Sequence, residues 1–121
     1  MNVREEVPIG PQSAAHARRL LDSLRGKIPE EVLIDARLVL SEIITNSYKH
    51  AGNPEGTPIR IVLRYSGERL RLEVIDQSVF DPTPESDEQL RSTRWGLILV
   101  DRLAHDWGRI SEGGLWVEFK L

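Results

Sequence analysis

The sequence predicts an α/β protein, a two-layer α+β sandwich in which three helices cover one face of a mixed, mostly antiparallel sheet. Three observations predict this fold class. Segments of helical period and segments of strand period follow in the order helix, helix, strand, strand, helix, strand, strand. Short turns join both strand pairs, as in antiparallel hairpins. The chain of 121 residues has the length of one domain, which we expect to span residues 1–121.

Three helices are predicted. The first covers residues 13–26, with Ser13 as its cap and apolar side chains at helical spacing. The second covers residues 30–51 and begins after Pro29 with two acidic residues, which the helix dipole favours in the first turn. Its apolar face consists of Ala36, Val39, Leu40, Ile43 and Ile44. The third covers residues 96–106.

Four strands are predicted, all in the second half of the chain. Residues 59–65 and 69–76 alternate between apolar and polar side chains, and the short turn between them indicates a hairpin. A second hairpin, of residues 107–111 and 115–121, ends the chain. The sheet face that the helices leave open should meet water or a partner, and it carries Arg60, Arg64, Arg71 and Glu73.

Composition excludes several classes of function. The formal net charge of -3 argues against direct nucleic-acid binding, which usually needs a basic surface. The chain has no cysteine, so disulfides, thiol nucleophiles and cysteine zinc sites are excluded, and its three histidines are too far apart in sequence to form a metal-ligand motif. No apolar run is long enough for a transmembrane helix, and no secretory signal is present. We therefore expect a cytoplasmic protein without a membrane partner.

A row of polar side chains lies at the edge of the apolar arc of the second helix. Glu42, Asn46 and His50 are four residues apart, so they stack on one side of the helix. At that edge a polar group is half-sheltered, yet a ligand can still reach it. The alternative is an ordinary boundary stripe, with Asn46 bonded to a loop and His50 near the helix end.

Asp76 breaks the pattern of its strand. Side chains alternate along a strand, so Asp76 points to the same face as Leu72 and Val74, toward the helices. A carboxylate in that position is unfavourable unless it receives hydrogen bonds. The alternative is a turn residue at the end of the strand. Together with the oxygens of Glu42 and Asn46, which suit Mg²⁺, Asp76 outlines a pocket that would fit a nucleotide.

Three segments of the chain resemble motifs of the histidine-kinase-like (GHKL) ATPase superfamily. LVLSEIITNSYKHA (38–51) resembles the N-box, and LEVIDQS (72–78) resembles the first glycine box. RWGLILVDRLAHDWG (94–108), followed by GGLWVEFKL, resembles the second glycine box and the final strands. The resemblance covers residues 8–121 and is nearest to the bacterial anti-sigma factor, or switch-protein serine kinase, branch.

The resemblance implies a Bergerat-type ATP-binding fold, with ATP and Mg²⁺ between the long helix and the sheet. By position, Asn46 would coordinate Mg²⁺, Glu42 would orient or deprotonate the attacking hydroxyl, and Asp76 would bond the adenine amino group. Gly96 would contact phosphate through its backbone. The implied activity is that of a serine/threonine protein kinase that phosphorylates a small anti-anti-sigma protein. Such domains also sequester a sigma factor, usually as a homodimer.

The chain departs from the family pattern in both glycine boxes. DQSVF (76–80) stands where the family reads Asp-x-Gly-x-Gly, although Ser78 can still lie near adenine. Arg94 replaces a glycine of the second box, where it would add positive charge near the phosphates or block their approach. Residues 81–88 correspond to the ATP lid, or form a solvated loop. These departures leave open an alternative function, a non-catalytic protein-binding module with a degenerate nucleotide pocket.

Overall fold

A computed structural model describes residues 1–50, 58–76 and 97–121, with the side chains of 48–50 excepted. In chain order, its elements are β1 (Asn2–Pro8), α1 (Ser13–Asp22), α2 (Glu30–His50), β2 (Pro58–Tyr65), β3 (Arg69–Ile75), β4 (Asp106–Arg109) and β5 (Gly114–Lys120). Residues 97–103, between β3 and β4, are also helical and are called α3. The predicted α/β class is confirmed, with helices on one face of the sheet.

The strands form one sheet in the order β1-β2-β3-β5-β4, and each neighbouring pair is antiparallel. β3 is therefore the central strand. Its inward side chains and the apolar stripe of α2 are almost fully buried, as the two alternation patterns predict. This core contains Leu33, Ala36, Val39, Leu40, Ile43 and Ile44 of α2 and Leu70, Leu72 and Val74 of β3.

No helix in the described part of the chain is both long and apolar enough to cross a membrane. Charged side chains occur in the first, middle and last thirds of α2, the longest helix at 21 residues.

Strand β1 was not predicted from the sequence. It pairs with β2 at the edge of the sheet, and the amino group of Met1 donates a hydrogen bond to the Tyr65 carbonyl oxygen at 2.7 Å. Val7 of β1 is buried, but the inward position two residues before it is Glu5. The Glu5 carboxylate lies 2.7 Å from Nε2 of His16 on α1. This acid on the inner face hides the apolar alternation by which a strand is recognised in sequence.

Helix α1 ends at Asp22, four residues before the predicted end. The chain then tightens into three-residue turns, in which the amides of Leu24 and Lys27 donate to the carbonyls of Leu21 and Leu24. Gly26 between them has φ of +84°, a conformation that ends a helix and that glycine adopts without strain. Leu24 is nevertheless fully buried, so its apolar spacing reflects the core rather than a continuing helix.

Ser13 does not cap α1 as predicted. Gln12 holds the capping position without a side-chain hydrogen bond, and Ser13 is the first helical residue. The Ser13 hydroxyl accepts the Gly10 amide proton and donates to the Pro8 carbonyl oxygen, each at 2.8 Å. Ser13 therefore fixes the turn between β1 and α1.

The end of the chain also differs in its boundaries. The third helix was predicted over residues 96–106, but the helical turns described end at residue 103 and β4 begins at Asp106. The final hairpin forms as predicted, with β4 and β5 each beginning one residue earlier. Its turn places Gly113 and Gly114 at φ of +115° and +106°.

The open face of the sheet carries a network of charged side chains. Arg71 donates to the carboxylates of Glu73 and Glu118, each at 3.0 Å. The Arg71 guanidinium carbon also lies 4.4 Å from the ring centre of Trp116, within the range of a cation–π contact. The charged face predicted from the strand pattern is thus present, and its charges are paired across β3 and β5.

Asp22, at the end of α1, should contribute to stability in a pH-dependent way. A hydrogen bond from Arg37 of α2 lowers the pKa of Asp22; burial opposes this effect, and the charges of Arg37 and Arg25 add to it. Because the pKa is lower in the folded state, the contribution is present above the unfolded pKa, about 3.9, and is lost as the pH falls through the folded value. Urea unfolding of the wild type and Asp22→Asn should show a stability difference that is largest at neutral pH and shrinks in acid.

The Arg37→Gln variant is the matched control for this prediction. It removes the other partner of the same ion pair, so its stability difference from the wild type should shrink over the same acid range. A difference that stays constant with pH in both variants would show that the pair does not couple folding to protonation.

Candidate functional site

The helix layer and the sheet meet at a hydrogen bond between two buried polar side chains. The Ser47 hydroxyl of α2 donates to Oδ2 of Asp76, which directly follows β3, at 2.5 Å. Ser47 is 5% exposed and Asp76 is 4% exposed, and both are surrounded by the apolar core. A buried carboxylate is stable only where groups of this kind bond to it.

The position of Asp76 follows from the strand that carries it. Leu70, Leu72 and Val74 of β3 point into the core, and the two-residue period takes Asp76 to the same side. This orientation and the burial of Asp76 were predicted from the sequence and are confirmed. The carboxylate therefore faces α2 instead of the open face of the sheet.

The backbone of β5 lies very close to β3 beside this carboxylate. Gly114 pairs with Ile75, the residue before Asp76. A Cβ atom at Gly114 would lie 1.9 Å from the carbonyl oxygen of Val74. Only glycine fits this approach, so the wall next to Asp76 is backbone packed against backbone.

Glu42 and Asn46 lie on α2 just before Ser47, and both are half-buried. Four residues of helix separate them by about 6 Å along the axis, so the acid and the amide lie one turn apart on the same side. Asn46 directly precedes the serine that holds Asp76. The last half of α2 thus brings an acid, an amide and the partner of the buried carboxylate to one end of the core.

The described part of the chain contains no group of three or more His, Asp or Glu side chains that could hold a metal ion. A metal held by Asn46 would therefore need most of its ligands from a bound molecule and water. Mg²⁺ commonly binds in this way, with nucleotide phosphates as ligands. The chemistry of Asn46 and Asp76 fits a magnesium nucleotide better than a cage made of protein side chains.

Several residues predicted for the site lie outside the described ranges. These are Ser78, Arg94 and Gly96, and the predicted lid segment 81–88 lies outside them as well. His50 is the last residue of α2, and its side chain is not among those described. Their predicted roles in binding phosphate and base remain predictions.

Sequence reasoning placed Ser47 in the apolar arc of α2 and assigned it no role. The signal that could have identified it is a hydroxyl where the helix period requires an apolar side chain, next to Asn46. Asp76 is the matching irregularity on the strand. Two polar residues that point into one core are expected to bond to each other.

The fold and its sequence were compared with known proteins. Residues 7–121 match the family model described as the histidine kinase-like ATPase domain. The structure superposes on the crystal structure of the RsbU and RsbW domains of Rv1364c from Mycobacterium tuberculosis with a TM-score of 0.71 and 16% sequence identity. That superposition covers 98% of this chain and 31% of the other, and at such low identity it shows a shared fold. No curated protein matches this chain in sequence. Since the family model spans nearly the whole sequence, the chain belongs to the histidine kinase-like ATPase domain family.

Proposed function

We propose that this protein binds Mg-ATP between the last half of α2 and the end of β3 and acts as an anti-sigma-type regulator. The observation that carries the proposal is the buried Asp76 carboxylate, which faces the helix layer and accepts a hydrogen bond from Ser47. An ionised carboxylate bonds only to donors, and the exocyclic amino group of adenine is such a donor. Family membership supports the same ligand.

The polar residues of α2 would serve the phosphate end of the nucleotide. Asn46 would bind Mg²⁺ through its side-chain oxygen, which is half-buried and one residue from Ser47. When bound, Mg²⁺ neutralises negative charge on the phosphates. We retain Ser78, Arg94, Gly96 and His50 as proposed contacts of the nucleotide, since they occupy the matching positions of the family motifs.

The chemistry that we propose is transfer of the terminal phosphoryl group to a serine or threonine of a partner protein. Glu42 lies one turn from Asn46 and is half-buried, so it can position the attacking hydroxyl or accept its proton. Phosphoryl transfer depends mainly on such positioning and on electrostatic stabilisation. The N-box resemblance favours a small anti-anti-sigma protein as acceptor and a sigma factor as a second partner. A homodimer is the assembly that this branch suggests.

A second candidate is a protein-binding module of the same fold that does not bind ATP. The altered glycine boxes favour it, because DQSVF (76–80) and Arg94 replace glycines that the family uses near the nucleotide. The intact set of Glu42, Asn46 and Asp76 favours the kinase. Binding of Mg-ATP separates the two candidates.

Thermal unfolding with and without Mg-ATP tests the proposal. At about 100 times the dissociation constant, a bound nucleotide adds about 2.7 kcal/mol to the free energy of unfolding. For a domain of this size the midpoint should rise by about 10 °C. The near-isosteric Asp76→Asn variant replaces an acceptor with a side chain that also donates, so most of the rise should disappear.

Asp35→Asn is the matched control, since it makes the same change on α2 about three turns before Asn46. It should keep the full rise in midpoint. No rise at millimolar Mg-ATP in the wild type would reject the ATP site and favour the binding module.

A further inference from the structure

We infer that Ser47 is a positioning residue that makes the site selective for purine nucleotides with an amino group at C6 over those with a carbonyl there. The inference rests on the proposed ATP site and adds a determinant of base selectivity to it. It begins from the contact between the Ser47 hydroxyl and Oδ2 of Asp76.

The direction of the Ser47 hydroxyl is unusual for a serine inside a helix. Such hydroxyls often donate to the carbonyl oxygen four residues earlier in the same helix. Ser41 of α2 does so, with its hydroxyl 2.7 Å from the carbonyl oxygen of Arg37. Ser47 instead reaches across the core to the end of β3, so its one proton is directed at Asp76.

This contact determines what the carboxylate can bind. A donated hydroxyl proton stabilises the ionised carboxylate and restricts its rotation. The ionised form only accepts hydrogen bonds, so it attracts an amino group and repels a carbonyl oxygen. Adenine and hypoxanthine differ at C6 in this way, since the first carries an amino group and the second a carbonyl oxygen.

Removing the hydroxyl should weaken this discrimination. In Ser47→Ala the buried carboxylate loses a charge-assisted hydrogen bond from a site that is 5% exposed. It can then turn, or take up a proton and donate to a carbonyl oxygen. Affinity for ATP should fall, and the penalty against a C6 carbonyl should become smaller.

The test is isothermal titration calorimetry with Mg-ATP and Mg-ITP, whose bases are adenine and hypoxanthine. We expect the wild type to prefer ATP by on the order of 100-fold. In Ser47→Ala the preference should fall by about tenfold, mainly through weaker ATP binding. Ser47→Thr retains the hydroxyl and should restore most of the preference. Ser41→Ala, the same change on the same helix, should leave the preference unchanged.

The possible outcomes separate this inference from the proposed function. A wild type that binds ATP, with an ATP preference unchanged in Ser47→Ala, overturns the role of Ser47 and leaves the ATP site intact. Equal weakening of both nucleotides in Ser47→Ala shows a purely structural role and also overturns it. A folded wild type that binds neither nucleotide overturns both the ATP site and the selectivity.

Discussion

Gly114→Ala should destabilise the protein by about 4 kcal/mol or more, which is exceptional for the addition of one methyl group. Two effects add at this position. The φ of +106° is strained for any residue with a Cβ atom. The added carbon would also lie 1.9 Å from the Val74 carbonyl oxygen, which belongs to the backbone of the central strand and cannot rotate away. Urea unfolding of the purified variant measures the loss.

Gly67→Ala is the matched control. Gly67 has φ of +89°, yet a Cβ atom there would meet nothing within 4 Å. Only the backbone strain remains, which is about 1 to 2 kcal/mol. Equal losses in the two variants would mean that the close approach to Val74 contributes nothing. If Gly114→Ala folds, its stabilisation by Mg-ATP should also be reduced, because Asp76 lies two residues beyond Val74.

Glu42→Ala should reduce phosphoryl transfer to a partner serine by about 1,000-fold, the usual range for loss of a general base or positioning acid. The side chain lies one turn from Asn46, so Mg-ATP should still raise the midpoint of thermal unfolding in the variant. Transfer is measured with radiolabelled ATP and the cognate acceptor protein, under single-turnover conditions. Glu42→Gln, which keeps the shape but cannot accept a proton, should be similarly slow if proton transfer matters.

Glu31→Ala is the matched control for Glu42. Glu31 is an exposed acid in the first turn of α2, about 16 Å along the helix from Glu42. Its removal should leave both binding and transfer unchanged. Phosphorylation at the normal rate in Glu42→Ala would show that Glu42 has no part in the chemistry.

The sequence predicted the parts of the fold in which one side of each element is apolar. Helix α2 and strands β2 and β3 each keep a regular period, and their boundaries agree with the structure to within about one residue. β1 escaped prediction because its inward Glu5 is satisfied by His16 on α1, a contact between elements that local pattern cannot show. The end of α1 was misplaced because buried Leu24 continues the apolar spacing after the helix stops.

The same limit applies to the candidate site. The inward direction of Asp76 follows from the strand period alone, so it was predictable. Its bond with Ser47 joins residues 29 positions apart, and that register between α2 and β3 depends on the packing of the whole core. A local pattern shows which polar groups need a partner, but it does not show which partner each of them finds.

The central position of β3 has a consequence for hydrogen exchange. This strand is paired on both sides, with β2 and with β5, so its amides should exchange with solvent only when the sheet as a whole opens. Asp76 directly follows this strand. A ligand held by Asp76 would therefore slow exchange most in the best-protected amides of β2, β3 and β5, and less at the edge strands. Occupancy of the site could then be read from deuterium uptake by the sheet centre, without a label on the ligand.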